Sequence, residues 1–197
     1  MRRETVVIYT TNAALAAIPL LLGSVVGAYY GKPRKREDNW YASLEKPVYT
    51  PPSAAFGIVW PFLYLCLGVA VFFPAVAIFF NRSLSLQSRI RSACVVYLAL
   101  ALHLASNLTY SPLMFRARNL PASALVAWLT FFTVIVLLIL LLFGVKSLSW
   151  TTDKTIPEWI AGGARVSPWL LVPYIMWTAF ASVLSTHIAL LNDEQTA

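Results

Sequence analysis

The stretch that decides the fold is Asn39–Leu65, NWYASLEKPVYTPPSAAFGIVWPFLYL. Lys46-Pro47 and Thr50-Pro51-Pro52 read as turns, because proline fixes φ and removes a backbone donor. In a soluble protein such turns would be followed by an amphipathic element. Here they open a stretch without a formal charge from Ala54 to Phe80, long enough to cross a bilayer.

The whole chain shares that character. It is 59% hydrophobic and only 12% charged, with a mean hydropathy of +0.70, whereas globular domains carry about a quarter charged residues. This composition predicts a multi-span membrane protein. The net charge of +7 does not point to nucleic acid, since the basic residues lie between apolar runs and form no continuous face for a phosphate backbone. They are placed to meet lipid headgroups. Cys66 and Cys94 lie in apolar runs without metal-ligand spacing and read as small hydrophobes.

Five runs are long enough to span, at about 20 residues and about 1.5 Å per residue. They are Val6–Tyr30, Ala54–Phe80, Ala93–Phe115, Leu120–Val145 and Pro168–Leu191, and none contains Asp, Glu, Lys or Arg. Helices satisfy their own backbone groups in lipid, so the expected fold is all-α, an integral membrane bundle of five transmembrane helices in one domain over residues 1–197. Helix-entry chemistry is expected from Thr50 or Ser53 beside Pro51-Pro52, from Asn119 before Pro121, and from Ser167 before Pro168. The first run follows Arg2-Arg3 but exceeds a usual signal h-region, so it reads as a retained span. Lys and Arg divide almost evenly between the two sides, which leaves the orientation open.

Polar and aromatic residues recur at helical spacing on three of these runs. Phe56, Trp60 and Tyr64 fall on one face of the second, His103, Asn107 and Tyr110 on one face of the third, and Tyr174, Trp177 and Ala181 on the fifth. Polar groups at these depths are costly against lipid and should face inward. Together the faces could line a cavity for a flat, mostly apolar ligand, or could be packing and interfacial-belt residues. His103 and His187 are expected to hydrogen-bond between helices rather than to ligate a metal. Gly23 and Gly27 form a GxxxG, suited to a dimer or to close packing within the chain. Asn107-Leu108-Thr109 is a sequon inside a span, and Asn81-Arg82-Ser83 one in a loop. The segment Lys146–Ser167, with Trp150 and Trp159, reads as interfacial. There is no phosphate-binding glycine loop, no nucleophile–base pair and no intramembrane carboxylate to relay protons.

Three ordered blocks then resemble one family. Trp40-Tyr41-Ala42-Ser43-Leu44-Glu45-Lys46-Pro47 with Thr50-Pro51-Pro52, Phe56-Gly57-Ile58-Val59-Trp60 and Leu63-Tyr64 is the first. Asn107–Phe115, NLTYSPLMF, and Leu170–Ala181, LLVPYIMWTAFA, are the others. They resemble the translocator proteins, also called tryptophan-rich sensory proteins or peripheral benzodiazepine receptors.

The resemblance implies a five-helix bundle, often a homodimer, that requires no cofactor and binds protoporphyrin IX, haem and other lipophilic ligands within the bundle. It implies a lid over residues 32–53, stiffened by Pro47, Pro51 and Pro52, and a ligand site of Trp40, Pro47, Pro51, Trp60, Tyr64, Asn107, Tyr110, Trp177 and Ala181. The roles it suggests are tetrapyrrole handling, transport or stress signalling. Alternatives are a light- and oxygen-dependent porphyrin-degrading enzyme acting through Trp60 and Trp177, and a sterol-binding transporter or membrane scaffold. It places eukaryotic members in the mitochondrial outer membrane and bacterial ones in the cell envelope.

The chain departs from the family at Tyr110, where many members have Trp, and at Ala127, where many have Asp. Ser185-Thr186-His187 lacks the tyrosine and basic residue of the proposed sterol motif.

Overall fold

A computed structural model describes residues 3–30, 40–147 and 155–193. The first part of the expected lid (32–39) and Trp150 lie outside them. Helix α1 runs Arg3–Tyr30, a short α2 Trp40–Ser43, α3 Ser53–Phe80, α4 Leu86–Ser111, α5 Leu120–Ser147, α6 Glu158–Val166 and α7 Leu171–Leu191. A π-helical turn, Pro112–Arg116, prolongs α4, and a 3-10 turn, Ser167–Leu170, joins α6 to α7. Five of the resulting rods are long and apolar enough to cross a membrane.

The bundle is built around α3. Its Leu67, Ala70, Val71, Ala75, Val76 and Ala77 have no exposed surface. At the periphery, α5 turns Leu125, Leu129, Phe132, Val136, Ile139 and Phe143 outward, all exposed. Their spacing of three and four residues makes one continuous apolar strip. Lipid tails are as apolar as leucine, so such a strip needs no further cover in a bilayer.

Small residues set the closest approaches. A methyl group on Gly68 would stand 2.1 Å from the Ala16 carbonyl oxygen, so α1 and α3 meet backbone to backbone. Gly23 faces the Tyr64 ring, which an added methyl would meet at 2.1 Å, whereas Gly27 has open space around it. The first glycine of the GxxxG therefore packs within the chain. Asn12, itself buried, ties α1 to α4 by accepting the Tyr97 hydroxyl and donating to the Ile8 carbonyl.

Several helix starts differ from expectation, for identifiable reasons. Helix α4 begins at Leu86 rather than Ala93. Ser85 caps it by accepting from the Ser88 amide at 3.2 Å. Its first turns carry Arg89 and Arg91, which hid this start among loop-like charges; Arg89 Nη1 donates to the Phe79 carbonyl at 2.9 Å, satisfying the end of α3. Neither Thr50 nor Ser53 caps α3. Pro52 holds the cap position without a side-chain bond, while the Thr50 hydroxyl and amide both donate to the Pro47 carbonyl, at 2.7 and 3.0 Å. Asn119 does cap α5, accepting from the Ala122 amide at 2.9 Å. Ser167 starts no helix, since the rod already runs through it from Glu158; its hydroxyl donates to the Ala70 carbonyl at 3.3 Å.

The second half of the expected 146–167 loop is thus helix α6. It buries Ile160, Ala161 and Ala164 and stacks Trp159 on Tyr9 of α1, centroids 5.6 Å apart. The loop sequon is closed off as well. Asn81 has no exposed surface, and its carbonyl oxygen accepts from the Ser83 amide at 3.1 Å.

One corner is backbone-strained. Arg118, at φ 53°, has the left-handed conformation that only glycine adopts freely. Such a non-glycine residue costs on the order of 1 kcal/mol. It ends the π-helical turn, where the Asn119 amide returns to the Leu113 carbonyl at 3.1 Å.

Candidate ligand cavity

A cavity of about 460 Å³ opens among α1, the lid, α3, α4, α5 and α7, within the size range of small-molecule sites. The α3 stripe expected from spacing, Phe56, Trp60 and Tyr64, lies wholly on its wall. Trp60 stacks on Tyr64, with centroids 5.6 Å apart and planes at 28°, which gives the wall a broad aromatic surface.

Two hydrogen bonds fix the orientation of the polar wall. Tyr64 Oη donates to Asn107 Oδ1 at 2.7 Å, from α3 to α4. Tyr110 Oη and Ser185 Oγ lie 2.8 Å apart, from α4 to α7. The tyrosine at position 110 thus keeps the aromatic wall and adds a tie to α7. Among the described residues, no Asp, Glu, Lys, Arg or His lines the cavity. Nor is there a Cys or Met.

Of the residues expected at the site, Trp60, Tyr64, Asn107, Tyr110 and Ala181 line the cavity, and Trp40, Pro47, Pro51 and Trp177 do not. For Trp177 the reason is rotational on α7. That helix presents Thr178, Ala181, Leu184, Ser185 and Ile188 to the cavity. Trp177 sits one residue round from this face, behind Phe56, at 5.7 Å between centroids, with its indole N–H buried and unpartnered. Tyr174 lies deeper. Its ring meets Trp60 edge-on at 6.1 Å, and its hydroxyl is 3.1 Å from His103 Nε2.

His103 turns away from the cavity and has no exposed surface. Its Nδ1 lies 3.0 Å from Thr133 Oγ1. That hydroxyl already donates to the Thr130 carbonyl at 3.0 Å, so Nδ1 carries the proton and Nε2 accepts from Tyr174. His103 therefore joins α4, α5 and α7, as expected of an interhelical histidine. His187 does not. It hydrogen-bonds through Nδ1 to Tyr49 of the lid, because it lies on the exposed face of α7, while the neighbouring Ser185 and Thr186 turn to Tyr110 of α4 and Trp128 of α5.

Several wall residues carry little signal in the sequence. Ser24 and Gly27 of α1 contribute because they are too small to fill the space; the small-residue run at 23–28 is their only trace. Ala127 lines the cavity without charge. Tyr41, from the lid, is lining too, and sets its ring edge-on to Phe115 at 5.6 Å. Burial raises its phenol above the ordinary value, so it is a neutral wall residue. Lys46 Nζ stands 5.0 Å over the same ring and donates to the Leu44 carbonyl at 2.8 Å.

Comparison with known proteins gives the family. The sequence profile described as the TspO/MBR family matches residues 15–191. A Bacillus subtilis membrane protein, YtaB, is 30% identical over 156 residues, covering 79% of this chain and 82% of that protein. The tryptophan-rich protein TspO of Archaeoglobus fulgidus is 29% identical over 153 residues, 78% of this chain and 80% of its own length. The translocator protein homolog of Schizosaccharomyces pombe is 27% identical over 175 residues, 89% and 88% respectively. With five apolar rods in one bundle and a family match across most of its length, this chain is an integral multi-pass membrane protein of the TspO/MBR family.

Proposed function

We propose that the chain binds porphyrins, protoporphyrin IX above all, and other flat lipophilic ligands in this cavity, serving tetrapyrrole handling, transport or stress signalling. The observation that carries the reading is the uncharged wall bearing the stacked Trp60–Tyr64 pair. A planar apolar ring gains contact area and offset stacking there without desolvating an ion. Among the described residues the wall offers no imidazole, thiolate or thioether to haem iron, which favours metal-free porphyrin over haem. Porphyrin carboxylates find no cation among the described wall residues, so they would remain at the lid end, where Lys46 and Arg118 stand. The same reading carries a homodimer, tested by light scattering of the detergent complex.

The test is a protoporphyrin IX titration of purified protein in detergent, followed by tryptophan quenching in the dark and then under light. Saturable quenching weakened by Asn107→Ala, with a weaker affinity of Trp60→Ala read by porphyrin absorbance, supports binding in the cavity. Linear quenching indifferent to both would mean partition into the micelle and would sink the reading. Porphyrin loss under light that depends on Trp60 or Trp177 would turn the conclusion from binding to photo-oxidation.

A further inference from the structure

Beyond ring packing, the described part of the lid is fastened from two separate places in the fold. From the end of α7, Asn192 pairs with the lid backbone. Its Oδ1 accepts the Glu45 amide at 3.0 Å, its Nδ2 donates to the Glu45 carbonyl at 2.9 Å, and Nδ2 also reaches the Ile188 carbonyl at 2.8 Å. Asn192 is 1% exposed. Five residues earlier, on α7, His187 Nδ1 hydrogen-bonds to the Tyr49 hydroxyl. From the corner between α4 and α5, the Arg118 guanidinium lies over the Trp40 ring, 5.3 Å from its centroid. Between these fastenings the lid drives Leu44 into a buried cluster with Met114, Leu120, Leu184 and Ile188.

We propose that Arg118 and Asn192 are positioning residues for ligand retention: together they clasp the lid so that Tyr41 closes the cavity, and releasing either lets ligand escape. This rests on the ligand-binding reading above, since it assigns the residues that close that same cavity. Two observations point beyond ordinary packing. Arg118 is the sole non-glycine residue with positive φ among those described. Strain of that kind persists where the side chain makes a contact glycine could not, and Arg118 makes such a contact with Trp40. Asn192 directs both ends of its amide at one lid residue, a pairing that fixes the register of the loop as a neighbouring strand would. Leu184 and Ile188 meet Leu44 on one side and line the cavity on the other. Movement of the clasped segment is therefore felt at the wall.

The experiment uses the full chain in detergent or nanodiscs, as wild type, Arg118→Gly and Asn192→Ala. Hydrogen exchange of the peptide containing Glu45 is read without ligand, the protoporphyrin IX dissociation rate by stopped flow, and thermal stability alongside. Glycine relaxes the left-handed backbone, so Arg118→Gly is expected to melt at or above the wild-type temperature. Its lid exchange and its ligand dissociation should nonetheless both accelerate severalfold. A merely structural role would move stability and retention in the same direction. Asn192→Ala is expected to accelerate both rates as well. Unchanged exchange in both variants, or faster exchange with an unchanged dissociation rate, overturns the proposal. If wild type takes up no porphyrin saturably while lid exchange still accelerates, the clasp stands and the ligand assignment fails; porphyrin uptake with indifferent variants is the reverse.

Discussion

Tyr64 of α3 donates a hydrogen bond from its hydroxyl to Asn107 Oδ1 of α4 at 2.7 Å, inside the cavity wall, while its ring fills the space left by Gly23 of α1. One side chain therefore links three helices and leaves the Asn107 amide oriented by its carbonyl oxygen. Tyr64→Phe keeps the ring and removes the bond. Interhelical hydrogen bonds in membranes contribute about 0.6 kcal/mol on average and up to about 1.7, and a destabilisation in that range is expected from thermal unfolding in detergent. Porphyrin affinity should also fall, because a free Asn107 can rotate. A variant as stable as wild type with unaltered affinity would show that the bond does neither.

The glycines separate packing from open space. Gly68→Ala places a methyl against the Ala16 carbonyl, a backbone atom that can yield only if α1 moves away from α3. Overpacking of this kind costs about 1–3 kcal/mol. Gly27→Ala meets nothing within 4 Å, and the better helix propensity of alanine gives up to about 1 kcal/mol in its favour. Melting temperatures of the two variants should move in opposite directions. Equal losses would mean that Gly27 is covered in the intact assembly, as a dimer through GxxxG would require.

How much of this was legible beforehand depended on the kind of signal. Apolar length exposes a membrane helix directly, so the five rods could be read from the charge-free runs. Arg89 and Arg91 concealed the first turns of α4, because charges within a helix look the same as charges before it until Phe79 supplies a carbonyl partner. Periodicity identified Phe56, Trp60 and Tyr64 as one face, and a face is what reaches the cavity. It could not tell which of two adjacent faces of α7 turned inward, and so the wall passes through Thr178 and Ala181 rather than Trp177. The clasp had no signature at all. A side chain that bonds to backbone, as Asn192 does at Glu45, accepts any residue type there, and 147 positions separate the two.

The histidine at the centre of α4 gives a test of coupling. His103 accepts the Tyr174 hydroxyl and donates to Thr133, with both its nitrogens and that phenol away from lipid. Tyr174→Phe and His103→Leu should each destabilise the bundle, since each leaves the other residue's buried polar atom without its partner. Combined, they remove both ends of the Tyr174–His103 bond. The double variant is therefore expected to lose less stability than the two single losses added together, by on the order of 1 kcal/mol. Strict additivity would mean that the two side chains do not share a hydrogen bond in the membrane.

The two cavity-region tryptophans should respond unequally. Trp60 lines the cavity and stacks on Tyr64, whereas Trp177 stands behind Phe56 with an indole N–H that bonds to nothing. Replacing Trp60 by alanine removes the stacking surface itself. Aromatic pairs contribute about 0.5–1.5 kcal/mol beyond their buried area, so a dissociation constant raised about tenfold is expected. Trp177→Phe keeps an aromatic ring against Phe56 and deletes a donor without an acceptor, so stability and affinity should change little. Parallel protoporphyrin IX titrations, read by porphyrin absorbance to avoid the altered tryptophan signal, make the comparison. If Trp177→Phe proved the more damaging, ligand entry would have to displace Phe56 and supply an acceptor to that indole. The aromatic surface used in binding would then extend across α7 as well as α3.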